Sequence, residues 1–392
     1  MRPRVIISLS NFFFAFFSTA IILVMIPYLT QYMSDVRAGV VIAMGPLAAC
    51  LLFPLMPRLV AKYGAQQLAL VVSILEMLSL FALAGAPGAV TGSIFAALSL
   101  GIQPFLAYQL DLLLEATVEE EGVTGRVRTM FITGWNLAAL AAPLLIGALL
   151  ASTDAYYRVF IAAAGGIIPL IVLLAASKLP LGRPPVLSRM DDTLRRIFRD
   201  RDLAAVTVAH FILYLFFFWA PFYTPLYLHT VLGIPWSELG WMFAVMLVPY
   251  VLIEFPAGVI ADKFIGDKEM MFAGFLIAGA ALGAIGLLTA ASPIWLIVAV
   301  LVATRIGAGL VESMTEGHFF RLVSEKDINS VSIFRGIWPL SELIAPLIGS
   351  AILIFGNNFG AFFAITGGIV AIGGAITTLF IRDFRPVRPV RA

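Results

Sequence analysis

Long apolar stretches dominate this chain, and polar residues interrupt them at intervals that fit membrane-spanning helices. A bilayer core about 30 Å thick needs roughly 20 consecutive apolar residues for each helix. Twelve segments meet this requirement, so the pattern predicts an all-α membrane protein with twelve transmembrane helices. The predicted helices cover residues 5–29, 37–56, 66–86, 88–115, 130–151, 156–178, 204–229, 239–261, 270–290, 292–317, 331–355 and 358–381.

The two halves of the chain share short sequences at an offset of about 202 residues. Ala-Pro-Leu-Leu-Ile-Gly around Pro143 recurs as Ala-Pro-Leu-Ile-Gly around Pro346, and Gly64 recurs as Gly266. Because the offset covers six helices, an even number, both copies begin on the same side of the membrane and the repeats are parallel. We therefore predict three parts: an N-terminal six-helix bundle over 1–178, a linker over 179–203 and a C-terminal six-helix bundle with a basic tail over 204–392.

The predicted linker carries apolar residues at helical spacing among many charges. Leu194, Ile197 and Phe198 share one face of such a helix. This pattern favours a short amphipathic helix at the membrane surface. A solvated linker without regular structure is the alternative.

The basic residues are distributed unevenly between the predicted loops. All of the 25 lysines and arginines except Arg37, Arg158 and Arg305 fall at the two ends of the chain, in the even-numbered loops or at the helix ends that adjoin these loops. Loops that retain lysine and arginine face the cytoplasm. We therefore predict a multi-pass protein of the prokaryotic inner membrane with both termini in the cytoplasm.

The composition excludes several classes of function. The chain is 61% apolar and 12% charged, with a net charge of +2, and its basic residues form no patch that would attract nucleic acid. Cys50 is the only cysteine, and the three histidines do not form a spaced set of metal ligands. A phosphate-binding loop and a nucleophile-base pair are also missing, which argues against an ATP-driven pump and an enzyme. We expect no cofactor and no metal, and a monomer in the lipid bilayer.

Two short motifs in the second half resemble those of a transporter family. Gly258-Val-Ile-Ala-Asp262-Lys263-Phe-Ile-Gly266 follows predicted helix 8, and Arg305-Ile-Gly-Ala-Gly309 lies in predicted helix 10. On a chain of twelve helices in two parallel halves, these motifs resemble the major facilitator superfamily (MFS). The resemblance implies the MFS fold, transport by alternating access and a central cavity lined by helices 1, 4, 7 and 10. The first half has lost the acidic residue of the loop motif.

Ionisable residues inside the predicted helices are the leading functional candidates. A charge in the middle of the bilayer costs about 2.5 to 3.5 kcal/mol, so it needs a partner, a proton or water. Arg305 faces the cavity according to the family resemblance, and its guanidinium suits an anionic substrate group; a structural ion pair with Glu342 or Glu254 is the alternative. Both glutamates are candidate proton carriers. Glu76, on a helix that the resemblance places at the periphery, is expected to be structural or half-protonated.

Other polar residues of the predicted helices complete the candidate substrate and proton site. The phenylalanines at 12–14 and 216–218 are given no binding role. For His210, a hydrogen-bonded packing role is the alternative to a proton or substrate role. The additional candidates are Asn11, Asp111, His210, Tyr214, Glu312 and Trp338.

Two pairs of carboxylates, Asp111 with Glu115 and Glu312 with Glu316, lie one turn apart near the predicted cytoplasmic ends of helices 4 and 10. Like charges at this spacing repel unless they are neutralised, and arginines lie close in sequence. We predict a cytoplasmic gate of ion pairs, to which the family motif contributes its own residues; surface ion pairs of little energetic value are the alternative. The gate candidates are Glu115, Arg128, Gly258, Asp262, Lys263, Gly266, Glu316 and Arg335.

These features favour proton-coupled secondary transport of a small solute. Several acids and aromatic residues give efflux of an amphipathic compound a slight preference. Uptake of an organic anion or a sugar-like solute is the alternative that Arg305 supports. A membrane receptor or scaffold that transports nothing is the alternative from a different class.

Overall fold

The structure is a computed structural model that describes residues 3–85, 88–117, 124–179, 190–261, 265–323, 328–356 and 358–382. Within these residues it is helical and contains no β-strand. The helices of the first half are α1 (Pro3–Thr30), α2 (Asp35–Leu52), α3 (Met56–Tyr63), α4 (Ala65–Gly85), α5 (Ala89–Glu115), α6 (Thr124–Leu150) and α7 (Tyr157–Ala175). Those that follow are α8 (Met190–Arg199), α9 (Arg201–Leu226), α10 (Trp236–Ile260), α11 (Asp267–Ile285), α12 (Ile294–Leu322), α13 (Ile328–Arg335), α14 (Ile337–Gly356), α15 (Phe359–Gly368) and α16 (Gly374–Thr378).

Ten helical segments among the described residues are long and apolar enough to cross a membrane. The remaining two predicted positions are occupied by α6 and α10, which have 27 and 25 residues and whose side chains are described in part. The chain is therefore an all-α, multi-pass membrane protein. Twelve spans in two repeats stay a prediction.

Several predicted helices differ in detail from those observed. Predicted helix 11 is divided at Gly336 into α13 and α14, and predicted helix 12 contains a π-helical turn at Ile369–Gly373. Predicted helix 10 ends at residue 317, whereas α12 continues to Leu322. The polar residues that suggested an end there are accommodated inside the helix by partners on other helices, which the local sequence does not show.

Two compact units make up the chain. The first contains Met1–Val186, Pro221–Val245 and Glu342–Ala351, and the second contains Leu187–Ala220, Met246–Ser341 and Ile352–Ala392. Three helices are therefore shared between the units: α9 and α10 contribute one part to each, and α14 contributes its middle to the first unit and both ends to the second. Because this grouping follows contacts rather than sequence repeats, the predicted bundle boundaries stay a prediction.

Small residues allow close helix packing within the first unit. A Cβ atom on Gly240 of α10 would lie 2.8 Å from the Cα of Gly147 on α6. A Cβ on Gly39 of α2 would collide with the hydroxyl of Ser350 on α14, which donates to the carbonyl of Val36 at 3.2 Å. Backbones can approach this closely only where side chains are absent or small. The C-terminal half of the sequence is thereby joined to helices of the N-terminal half.

Gly64 and Gly266 have similar backbone conformations at similar places. Their φ values are 84° and 103°, and each directly precedes a helix, α4 and α11 respectively. This left-handed conformation favours glycine. The two positions that the sequence comparison aligned therefore have the same local structure.

Candidate functional site

Arg305 is buried on α12 in the second unit. Its guanidinium carbon lies 5.3 Å from the centre of the Phe216 ring on α9, and only 5% of the residue is exposed. The Nε atom has no hydrogen-bond partner, and no ion pair of Arg305 occurs among the described residues. A cation over an aromatic face gains about 2 kcal/mol when it is desolvated. This gain offsets only part of the cost of a buried charge, and the Nε donor is unused, so the guanidinium can accept an anionic ligand.

An aromatic wall extends along α9 in the same unit. His210, Tyr214 and Phe217 follow one another at helical spacing, with ring centres 4.6 Å and 5.5 Å apart. Trp338 of α14 lies 6.5 Å from Tyr214, and Tyr250 of α10 lies 6.3 Å from Phe217. Two of these rings, Tyr250 and Phe217, were not among the sequence candidates. Together the five rings provide an apolar surface with polar edges.

His210 takes part in a stack of three rings. The imidazole lies 3.8 Å from the Phe334 ring, whose other neighbour is Phe319 at 3.9 Å, and both pairs are nearly parallel. His210 is buried, and its Nδ1 atom has no hydrogen-bond partner among the described residues. This setting supports the packing role that the sequence left open. A proton or substrate role for His210 stays a prediction.

Glu342 is buried on α14 within the first unit. Only 2% of the residue is exposed, and its Oε2 atom has no hydrogen-bond partner among the described residues. Burial without an ion pair to a described cation destabilises the charged carboxylate, so the protonated form of Glu342 is favoured. The arrangement suits a group that binds and releases protons.

The other substrate candidates have mixed surroundings. Asn11 is buried on α1 and donates from Nδ2 to the carbonyl of Phe131 on α6 at 3.0 Å, which joins the two helices. Asp111 and Glu312 are half-buried, on α5 and α12 respectively. Their transport roles stay predictions.

One pair of the predicted gate is formed in the structure. Arg335 donates from Nη1 to the Glu316 carboxylate at 2.8 Å, and both side chains are partly exposed. Gly266 lies directly before α11. The remaining gate candidates and Glu254 lie outside the part whose side chains are described: Glu115, Arg128, Gly258, Asp262 and Lys263.

A buried charge cluster in the second unit was missed by sequence reasoning. His318 of α12 lies between two aspartates, with Nε2 3.1 Å from Asp202 Oδ1 and Nδ1 3.2 Å from Asp267 Oδ2. Both imidazole nitrogens therefore face carboxyl oxygens. Arg321 donates to Asp267 at 2.9 Å, and the backbone N–H of Arg382 donates to Asp202 at 2.9 Å. The cluster joins α9, α11 and α12 within the second unit.

Substitution of His318 by leucine is expected to lower the free energy of unfolding by about 3 to 5 kcal/mol, because two buried aspartates lose the polar partner that they share. The matched control is Arg321→Gln, which removes a partner of Asp267 that is 39% exposed and should cost about 1 kcal/mol or less. Loss of helical circular dichroism on heating measures both. Equal effects of the two substitutions would show that His318 does not hold the cluster together.

A second unpredicted contact joins two loops of the first unit. The Nε2 atom of His229 forms a hydrogen bond with Asp154 Oδ1 at 2.7 Å, and its Nδ1 atom lies 2.8 Å from the carbonyl oxygen of Ile234. Trp236 donates from Nε1 to the Tyr156 hydroxyl at 3.3 Å. Burial, and then the nearby Asp154 carboxylate, raise the pKa of Tyr156, so its phenol stays protonated. These contacts fasten the start of α10 to the segment between α6 and α7.

Metal ligands are not clustered among the residues that the structure describes. No group of three or more histidine, cysteine, aspartate or glutamate side chains there could hold a metal ion.

Comparisons with known proteins connect this arrangement to transport. The model of the Major Facilitator Superfamily matches residues 206–392. No curated protein sequence matches the chain. Among solved structures, a peptide transporter POT in complex with sulfate is 14% identical with a TM-score of 0.74, and the match covers 96% of this chain and 94% of that one.

Two further structures are similar over the same extent. A variant of the peptide transporter POT in complex with alafosfalin is 14% identical, with a TM-score of 0.74 and coverage of 96% and 93%. A POT family transporter in complex with a thioalcohol conjugated peptide is 13% identical, with a TM-score of 0.75 and coverage of 97% and 96%. Transporters of this family and fold are not enzymes. The family match over residues 206–392, just under half of the chain, and the fold shared over nearly the whole chain support a membrane transporter of the Major Facilitator Superfamily.

Proposed function

We propose that the protein is a secondary active transporter that moves a small amphipathic solute with an anionic group, in exchange or in symport with protons. The observation that carries this proposal is Arg305, a buried guanidinium without an ion pair among the described residues. A bound anion would supply the missing countercharge, and bidentate hydrogen bonds from the planar guanidinium would orient it.

The aromatic wall supports the amphipathic part of the proposed substrate. Tyr214, Phe217 and Trp338 offer large apolar faces in the unit that contains Arg305. Ligand sites of this kind are mostly apolar, with a few placed polar groups that fix orientation. This combination gives the organic anion more support than the sugar-like solute. The direction in which the solute moves under an imposed proton gradient tests the predicted preference for efflux.

The division of the chain into units supports alternating access. The positive-inside prediction places Pro221–Val245 and Glu342–Ala351 toward the outer face, and these segments pack with the N-terminal helices in the first unit. In α9 the boundary between the units falls at Pro221, whose missing N–H weakens the helix at that point. A transporter that alternates would break the contacts of these segments when it opens outward.

The structural relatives fit a small-solute transporter without fixing the substrate. The similar transporters were solved with sulfate, alafosfalin and a conjugated peptide. At 13 to 14% identity they share the fold, so peptide transport is not carried over. A receptor without transport remains the alternative from a different class, and liposome flux separates it from a transporter.

Glu342→Gln is expected to abolish accumulation driven by a proton gradient while solute exchange continues. The amide resembles the protonated acid, so the protein can still move between its states but cannot release a proton. Purified protein in liposomes, with labelled solute and an imposed pH gradient, measures both activities.

The control for Glu342→Gln is Glu238→Gln, which neutralises an acid that accepts from Trp241 at an exposed site on α10. It should leave both activities unchanged. Gradient-driven accumulation in Glu342→Gln at the wild-type rate would remove this residue from the proposed coupling.

A further inference from the structure

Glu76 lies near the middle of α4 and is completely buried. Its contacts among the described residues include no cation. Because a charged side chain at mid-bilayer costs about 2.5 to 3.5 kcal/mol, the acid is neutral and carries a proton in this conformation. The mechanism proposed above does not use this group.

Two buried hydrogen bonds made by neighbouring turns of α5 join it to α4 and to α1. Ser99 of α5 donates from its hydroxyl to Glu76 Oε1 at 2.7 Å. One turn later on α5, Gln103 accepts at Oε1 from the hydroxyl of Ser18 on α1 at 2.6 Å. All four residues are at most 2% exposed. The network therefore joins α4, α5 and α1 inside the first unit.

Two polar atoms of these residues are buried without a hydrogen-bond partner among the described residues: Glu76 Oε2 and Gln103 Nε2. Gln103 lies four residues after Ser99 on α5, so the two side chains share one face of the helix. An unused donor therefore lies one turn from the serine that binds the Glu76 carboxyl group. When Oε2 gives its proton to an entering water molecule, the carboxylate can accept the N–H of Gln103 as well as the O–H of Ser99.

Among the described residues of the helices that pack against α4, no charged side chain lies at the level of Glu76. α4 packs against α5, α7 and the short α3. Their ionisable residues lie toward helix ends; along α5, Tyr108 is about 13 Å beyond Ser99 at 1.5 Å per residue. These residues are Arg58, Lys62 and Tyr63 on α3, Tyr108, Asp111 and Glu115 on α5, and Tyr157 and Arg158 on α7. Proton occupancy of Glu76 therefore depends on its polar neighbours and on water.

We propose that Glu76, Ser99 and Gln103 form a second proton-binding site in the N-terminal half, additional to Glu342. Gln103 also accepts from Ser18, so movement of its amide toward the charged carboxylate after loss of the proton would change its contact with α1. A role in the transport cycle rests on the proposed function. Proton binding itself needs no solute.

Infrared difference spectroscopy of the full-length protein in lipid nanodiscs tests the site. At neutral pH, wild type minus Glu76→Gln should show the C=O stretch of one protonated carboxyl group. Ser99→Ala should move this band to higher frequency, because the carbonyl loses a hydrogen bond. In D2O the band should show the deuterium shift well before the amides of the buried helices exchange.

The controls separate a proton site from a structural acid and from the proposed function. Glu76→Gln removes the acid but keeps an oxygen that can accept from Ser99. Ser99→Ala keeps the acid, so its carboxyl band can be measured without this hydrogen bond. Glu342→Gln should leave the Glu76 band unchanged. Identical spectra of wild type and Glu76→Gln, or a band that exchanges no faster than the helix amides, would overturn the proposal. Neither outcome depends on solute transport, so the proposed function would be unaffected.

Discussion

Arg305→Gln is expected to weaken binding of an anionic solute at least about 30-fold, and to reduce its transport accordingly. Truncating one partner of a buried, hydrogen-bonded charge pair costs about 2 to 5 kcal/mol, and 1.4 kcal/mol corresponds to a tenfold change in affinity. The guanidinium meets these conditions because it is buried against Phe216 and has no competing carboxylate among the described residues. Solute binding to purified protein and uptake into liposomes measure the effect.

Two controls make the Arg305 prediction specific. Arg305→Lys keeps the charge but loses the planar pair of donors, so it should bind the anion more weakly than wild type and better than Arg305→Gln. Arg158→Gln removes an exposed arginine that donates to the Leu149 carbonyl, and it should transport normally. Wild-type affinity in Arg305→Gln for every anion that the protein transports would exclude the arginine from the substrate site.

Gly240→Leu is expected to slow transport and to favour a state in which α6 and α10 are apart. Even a Cβ atom at Gly240 would lie 2.8 Å from both the Gly147 Cα and the Pro143 carbonyl oxygen, so the backbones must separate. Overpacking of this kind costs about 1 to 3 kcal/mol, which shifts a two-state equilibrium by about 5- to 150-fold. Only the closed arrangement of these helices suffers this cost.

The rate at which a cysteine in a buried contact of the first unit is labelled measures this shift in the equilibrium between the two states. Ser350→Cys, in a Cys50→Ala background, places a thiol where the serine is 3% exposed beside Gly39. A membrane-impermeant maleimide added from outside should label it faster when Gly240→Leu is present. The matched control is Gly165→Leu, where no atom lies within 4 Å of an added Cβ. Equal labelling and equal transport in the two leucine variants would show that the Gly147–Gly240 contact does not close the transporter.

The sequence predicted the helices well because membrane insertion depends on local composition. A run of apolar residues long enough to span the bilayer must be helical, since every backbone polar group has to be satisfied within the segment. The glycine pair Gly64 and Gly266 was found for a similar reason, because a left-handed turn before a helix needs glycine wherever it occurs. Such requirements act on neighbouring residues and are visible in the sequence.

Contacts between distant residues could not be predicted in this way. His318 reads as a lone histidine near a helix end, yet its partners Asp202 and Asp267 are 116 and 51 residues away. Phe216 belongs to a run of three phenylalanines that suggested lipid contact or packing, and only the structure shows that it lies under Arg305. Rotation of each helix about its axis decides these pairs, and apolar helices with little amphipathic pattern do not reveal it.

Solute-dependent proton movement in liposomes that contain only the purified protein tests the central claim most directly. A pH-sensitive dye inside the vesicles should report a proton flux when an anionic amphipathic solute is added, and an imposed pH gradient should drive accumulation of that solute or its expulsion. Arg305→Gln should show neither response. Solute flux without any accompanying proton flux would contradict the proton coupling proposed here, and absence of flux for every solute tested would favour a protein that does not transport.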